Sequence, residues 1–320
     1  MASDLAFLFA GQGAQTVGMG KDLCEAYPSV EALYDKANAA VPFDLKSISF
    51  NGPEEELRRT DVSQPAIVVH SLAALEALKT ELGGELPPVA SAAGLSLGEY
   101  SALCFAGALS LEDTLRLVIA RGQYMQACCE AEPSGMVSLL GLDVDALGPA
   151  IEAGSPLGVV GIANDNAPGQ VVLSGAKAAL EAAAEKAKEI GARRAVPLNV
   201  AGAYHSLLMA PAGEKLAGDL AAAALVAPGV PVIANVNAQP HPADADAIRA
   251  ALVQQISSTV RFRESLGLMF EQGVERCFEF GPGGVLKGLV RRVDKKKTCL
   301  PVATVDQVKA AAEALSQEAR

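Results

Sequence analysis

The stretch 91-SAAGLSLGEYSAL-103 decides how this chain is read. Four small residues lead to Ser96, which stands between Gly94 and Gly98, and a helical pattern follows at once. Glycines on both sides of a serine remove the side chains that would crowd a sharp strand-to-helix turn. A serine at such an elbow projects its hydroxyl outward. The next amides and the helix N-terminus then face whatever the oxygen attacks. G-x-S-x-G is a short pattern, and a Gly-rich turn with an incidental serine fits the same letters.

The flanking sequence supplies the rest of an α/β frame. Residues 5-LAFLFA-10 read as a buried strand ending at Gly11. The segment 63-SQPAIVVHSLAALEALKTELGG-84 reads as a helix with Ser63 as N-cap, Pro65 in its first turn and glycines at its far end. Residues 87–93 read as a strand feeding the elbow, and 96–107 as the helix that leaves it. In 110-SLEDTLRLVIARGQYMQACC-129, Ser110 and Asp113 have capping-box spacing ahead of an apolar stripe. Strand, elbow and helix in this order give an α/β body.

The middle of the chain has another rhythm. Strand patterns at 136–142, 158–164, 170–174 and 193–198 alternate with helical patterns at 143–154 and 176–190. That order, βαββαβ, is ferredoxin-like. It predicts a small subdomain at 130–198 inserted into a discontinuous body of 1–129 and 199–320. The body is expected to close with a strand at 276–282 and a helix from about 284.

Composition bounds the function. The 320 residues are 50% hydrophobic and 20% charged, enough for a sizeable core. No apolar run is long enough to span a bilayer, and MASDLAFLF lacks the form of a signal peptide. The net charge of −11 argues against a nucleic-acid partner. The six cysteines form no C-x-x-C pair and the three histidines have no metal-ligand spacing. The expectation is no metal, no bound cofactor, and reduced cysteines used for packing.

A serine nucleophile needs a base. His70 lies among apolar residues of a helix and reads as a core histidine. His241, in 239-QPHPAD-244, reads as a surface turn. His205 follows a strand and a Gly-containing loop, where α/β proteins place catalytic groups, and is by elimination the best base. The oxyanion donors are expected from the Leu97 amide and from the loop 11-GQGAQ-15. That loop is a weak match to a dinucleotide fingerprint, since Thr16 stands where the third glycine belongs. Arg121 shares a helix face with Leu117 and Met125. It either snorkels to water or faces a cavity that takes a carboxylate.

Eight segments together resemble one family, the malonyl-CoA:acyl carrier protein transacylases of fatty acid synthesis. They are 9-FAGQGAQTVGMG-20, 94-GLSLGEYSAL-103, 121-RGQYMQ-126, 162-IANDNAPGQVVLSG-175, 202-GAYHSLLMAP-211, 235-NVNA-238, 252-LVQQISSTVRF-262 and 279-EFGPGGVLKGL-289. They occur in family order across nearly the whole chain. The resemblance implies an α/β-hydrolase-like body carrying the ferredoxin-like insertion. It implies Ser96 as nucleophile, His205 as base, Arg121 as the malonyl carboxylate's partner, and the amides of Gln12 and Leu97 as oxyanion hole. It also implies that Gln255 belongs to the loop whose backbone carbonyl orients the histidine, and that Asn164 lines the site.

Two positions depart from the usual pattern. Leu95 stands where bacterial members carry histidine, as in the plastid-type form, so a plastid stroma is expected, with a bacterial cytoplasm as the alternative. Tyr204 stands where malonyl-selective members often carry Phe; the ring is retained, and malonyl is expected over methylmalonyl. The substrates implied are malonyl-CoA and holo-acyl carrier protein, used by a monomer without a membrane or nucleic acid. Acidic carrier protein would dock on a basic patch, with Arg193, Arg194, Lys287, Arg291 and Arg292 as candidates. The rival readings are a serine thioesterase or esterase, a polyketide-type acyltransferase, and a non-enzymatic acyl-binding subunit.

Overall fold

The computed structural model describes residues 3–317. Its strands, in chain order, are β1 (Leu5–Phe9), β2 (Ser91–Gly94), β3 (Ser134–Leu140), β4 (Val160–Ala167), β5 (Gln170–Ala176), β6 (Arg194–Pro197), β7 (Val232–Ile233), β8 (Arg276–Phe280) and β9 (Thr298–Val302). They form two sheets. One is five-stranded and parallel, in the order β7-β2-β1-β8-β9. The other is four-stranded and antiparallel, in the order β4-β5-β3-β6.

β1 sits at the centre of the parallel sheet and is apolar at every position, because helices cover both faces. Alternation then sorts its side chains. Phe7 and Phe9 enter the larger core, where Phe7 meets Phe280 at 4.8 Å and Phe105 at 5.2 Å between ring centroids. Ala6 and Leu8 enter the core on the other face, with Ile233, Phe262 and Leu289.

The small residues of β2 have a steric cause. The helix Leu97–Phe105 folds back tightly over the strand ends. A Cβ on Gly94 would overlap the Gly98 carbonyl group, and one on Gly98 would overlap the Phe9 carbonyl oxygen. Neither glycine has positive φ; close approach, not turn geometry, requires them.

The antiparallel sheet has its own core. Val137, Leu139 and Leu173 face Leu180 and Ala183 of the helix Lys177–Glu189. Met136, Ser138, Asn164 and Val172 alternate to the opposite side and line a cavity against the parallel sheet.

Several elements differ from their sequence signals. The helix expected at 63–82 spans Thr60–Glu81, with Arg59 at its N-cap, and Ser63 is a buried interior residue. Burial of Thr60 and Val62 against neighbouring elements outweighs the local capping signal. The strand expected at 87–93 pairs only from Ser91; Pro87 and Pro88 supply no backbone donors to a ladder. The helix expected at 143–154 is a 3₁₀ turn, Val144–Ala146, followed by Gly148–Gly154. Two-residue β7 carried no pattern, and β9 with the helix Val305–Ser316 extends the body beyond the expected closing helix, Val285–Val293.

Candidate active site

The ends of β1 and β2 open into a cavity of about 670 Å³ between the two sheets. Crevices outside the carboxyl ends of parallel strands are the usual ligand sites of α/β proteins. Ser96 stands at its floor, at the N-cap of the helix Leu97–Phe105, with φ 53° and ψ −100°. That conformation is uncommon for a residue with a side chain. The elbow is held by its neighbours. The Ser96 amide donates to Asn235 Oδ1 at 2.7 Å, and Gln255 Nε2 donates to the Ser96 carbonyl at 2.9 Å.

His205 Nε2 lies 2.7 Å from Ser96 Oγ. Its other ring nitrogen, Nδ1, lies 2.9 Å from the Gln255 backbone carbonyl, which accepts only. That partner places the proton on Nδ1 and leaves Nε2 as the acceptor for the serine hydroxyl. Burial first, and the Arg121 charge second, hold the imidazole pKa down at about 4, so the ring is neutral at ordinary pH.

Arg121 is 1% exposed. It occupies the second of the two alternatives read from its helix face: it points into the cavity. Its Nη1 donates to Gln64 Oε1 at 2.8 Å, and its Nη2 donates to Ser96 Oγ at 2.9 Å and Gln255 Oε1 at 3.1 Å. All three acceptors are neutral. Its Nε–H has no partner among the described residues. Burial pulls its pKa below the usual arginine value, while Tyr100 and Glu99 act the other way. A buried guanidinium without a carboxylate partner is costly, and an incoming carboxylate relieves that cost.

The other expected residues fall in two groups. Gln12, Asn164 and Tyr204 line the cavity, and the Tyr204 hydroxyl lies 3.0 Å from Thr60 Oγ1. Leu97 is buried at the helix start. Among the described residues no hydrogen bond occupies the amide of Leu97 or Gln12. Arg193, Arg194, Lys287, Arg291 and Arg292 are exposed and lie outside the cavity lining.

One histidine is corrected. His241, read as a surface turn, is buried, and its Nε2 lies 2.7 Å from Glu99 Oε1. The flanking prolines gave a turn signal, but Ile233 and Pro240 pair across a tight loop that folds His241 inward. Gln64, Glu99 and Asn235 also contact the site, and nothing in their local patterns singled them out. His70 is buried in its helix, as its apolar neighbours implied.

Comparison with known proteins assigns the chain to a family. The Acyl transferase domain model matches residues 6–313. The chain is 42% identical over 317 residues to the malonyl CoA-acyl carrier protein transacylase of Bacillus subtilis, covering 99% of this chain and 98% of that one. The structure of the Coxiella burnetii malonyl CoA-acyl carrier protein transacylase superposes with a TM-score of 0.93 at 36% identity, covering 98% of both chains. A malonyl-transacylase solved in complex with a type II PKS acyl-carrier protein superposes with a TM-score of 0.92 at 38% identity, covering 98% of this chain and 100% of that one. A serine elbow, a neutral histidine and a buried guanidinium meeting at one cavity, on a fold shared over its whole length, make this chain a member of the malonyl CoA-acyl carrier protein transacylase family.

Proposed function

We propose that the chain's activity, malonyl transfer from coenzyme A to acyl carrier protein in fatty acid synthesis, runs through a malonyl ester on Ser96. The observation that carries this is the single hydroxyl shared by an acceptor and a cation: Ser96 Oγ is 2.7 Å from His205 Nε2 and 2.9 Å from Arg121 Nη2.

His205 takes the Ser96 proton on Nε2 as Oγ attacks the thioester carbonyl carbon. The resulting oxyanion is stabilised by the free amides of Leu97 and Gln12. The C–S bond breaks, and the proton on His205 passes to the departing CoA thiolate. Ser96 Oγ is then an ester oxygen and a poorer acceptor, so the Arg121 donor it occupied turns to the malonyl carboxylate. The carrier protein's phosphopantetheine thiol gives its proton to His205 and attacks the ester. The product thioester forms, and Ser96 recovers its proton. Free enzyme and acyl-enzyme alternate, so the kinetics are ping-pong.

Asn164 and the Tyr204 ring shape the acyl end of the cavity, and the bond from Tyr204 to Thr60 fixes that ring. The two separate sheets support an α/β-hydrolase-like body, 1–129 and 199–320, with a ferredoxin-like insertion at 130–198. The carrier protein docks, as a partner of a monomer, through the exposed basic residues near the mouth. No helix of the described residues is long and apolar enough to cross a membrane. Leu95 beside the nucleophile is the feature that favours a plastid setting; microscopy of a fluorescent fusion to the native full-length protein decides it.

Intact-mass measurement after malonyl-CoA tests the central claim. Wild-type protein gains one malonyl group, which maps to Ser96. Ser96→Ala gains none and gives no burst of CoA. A retained burst in that variant would falsify the assignment.

A further inference from the structure

Beneath the elbow lies a buried polar cluster that the transfer steps above do not use. Glu99, the third residue of the helix that follows Ser96, is 0% exposed. Its Oε1 accepts from His241 Nε2 at 2.7 Å, and its Oε2 accepts from the Asn235 amide at 3.1 Å and from Gln255 Nε2 at 2.8 Å. A buried carboxylate survives when its oxygens are satisfied, and a helix N-terminus favours an anion.

Both protons of Gln255 Nε2 are committed, one to the Ser96 carbonyl and one to Glu99. The amide can therefore lie only one way round, with Oε1 toward Arg121 Nη2. A carboxylate accepts and never donates, so together with the Ser96 carbonyl and the Arg121 donor it enforces that choice; a neutral amide in its place can donate as well as accept and weakens it. A flipped amide would present N–H groups to a guanidinium. Asn235 is set in the same way. Its backbone amide is held by Glu99, its Nδ2 donates to the Gly94 carbonyl, and its Oδ1 is left for the Ser96 amide.

We infer that Glu99, held by His241, is a positioning residue for malonyl transfer, orienting the Gln255 amide and, through it, Arg121 and the Ser96 turn. The inference rests on the function proposed above. The loop carrying Asn235 and His241 shows what the arrangement requires. It closes through Ala238 at φ 54°, with the Ala238 amide bonded to the Ala234 carbonyl. Ser96, His205 and Ala238 are the non-glycine residues of positive φ among those described, so the strained positions are the nucleophile, its base and the turn that clamps the elbow. Among the described residues His241 Nδ1 has no partner, and its contact with the site runs through Glu99.

The test measures first-turnover CoA release by the full chain with malonyl-CoA and with acetyl-CoA, alongside thermal melting. Glu99→Gln is expected to slow malonyl-enzyme formation on the order of 100-fold, the cost of a misplaced reacting geometry. It is also expected to lower the preference for malonyl over acetyl, because Arg121 loses its fixed acceptor. A merely structural role moves the melting temperature and leaves rate per folded molecule and preference alone; that outcome overturns the inference. Should Glu99→Gln not fold, His241→Gln and His241→Leu carry the test. The first keeps an N–H donor for Glu99 and is expected to react about tenfold faster than the second, the worth of one buried hydrogen bond to a charged group. Equal rates and equal preference in the two overturn it. A parent protein that releases no CoA overturns the proposed function itself, whereas an active parent with an unaffected variant overturns this inference alone.

Discussion

Ser96 and His205 both hold positive φ, 53° and 57°, and their side chains meet at 2.7 Å. Each strained backbone aims one reacting atom at the other. Strain at two such positions costs on the order of 1–3 kcal/mol each. Surrounding contacts maintain it: Asn235 and Gln255 grip the backbone of Ser96, and the Gln255 carbonyl accepts from the imidazole. Gln255 thus contacts Ser96, His205 and Arg121 from one residue, through its side chain and its backbone.

Under the proposed function, Arg121 is the residue expected to set the substrate preference. Arg121→Ala removes the charged donors for the malonyl carboxylate, and hydrogen bonds to charged groups contribute about 1.5–3 kcal/mol. The ratio of kcat/KM for malonyl-CoA over acetyl-CoA is expected to fall about 10- to 100-fold. Arg121→Lys keeps the charge without the planar fork and is expected to fall between the two. Competition assays with both thioesters measure the ratio, and an unchanged value removes the carboxylate role.

The pH profile of CoA release reports the base. As the proposed base His205 would act only when neutral, and burial with the Arg121 charge holds its pKa at about 4. The first half-reaction is therefore expected to stay on its plateau below pH 6.5 and to decline only as pH approaches about 4. Arg121→Met removes the second cause, so its inflection with acetyl-CoA is expected to move upward. A wild-type inflection near the ordinary histidine value would show that the imidazole is solvated in the working enzyme.

His70 links stability to pH. Burial lowers its pKa from 6.5 to about 4, so between those values the unfolded chain binds a proton that the folded chain does not. Stability is then complete above pH 6.5 and is lost as pH falls through that window, by up to about 1.4 kcal/mol per pH unit for one histidine. His70→Leu cannot take up the proton. Urea melts across the window are expected to give a shallower slope for the variant, by up to that amount.

Much of this was legible in the sequence because it depends on local sterics. Gly94 and Gly98 announce a close approach, Ser110 caps its helix by accepting from the Asp113 amide, and the alternating strands of the second sheet carry their own register. The meeting of Glu99, Asn235 and His241 was not legible, although Glu99 and Asn235 lie in segments that carry the family resemblance. They are brought together across more than 130 positions by the parallel sheet, and no local pattern encodes such a meeting. Arg121 stood between the two cases: its helix face was readable, but its neutral partners Gln64 and Gln255 come from other elements.

The elbow glycines bear directly on folding. Gly98→Ala forces a Cβ into the Phe9 carbonyl at the centre of the parallel sheet. Overpacking costs about 1–3 kcal/mol where neighbours can shift, and a backbone carbonyl fixed in the sheet shifts little. The melting temperature is expected to fall by several degrees, with loss of CoA release in whatever protein remains folded. Gly218→Ala, inside the helix Ala210–Ala222 with nothing for its Cβ to meet, is the control and is expected to leave CoA release unchanged and to raise the melting temperature slightly.

The carrier-protein half-reaction can be separated from the first by charge. Val285, half exposed, lines the cavity, and Arg291 and Arg292 lie in the last turn of the same helix. Six residues of helix span about 9 Å, so these cations stand within reach of a protein seated over the mouth. Arg193 and Arg194 are exposed and lie a few residues upstream of Leu198, which also lines the cavity. With a net charge of −11, the chain repels an acidic partner except where such residues cluster. The double variant Arg291→Glu and Arg292→Glu is expected to raise the carrier-protein KM about tenfold at low salt, with the difference shrinking as salt screens it. Read at saturating malonyl-CoA, the burst reports the proposed ester formation at the cavity floor and is expected not to change. Equal losses in both half-reactions would place the docking surface elsewhere, and the Arg193 and Arg194 reversals would then be the ones to raise the carrier-protein KM alone.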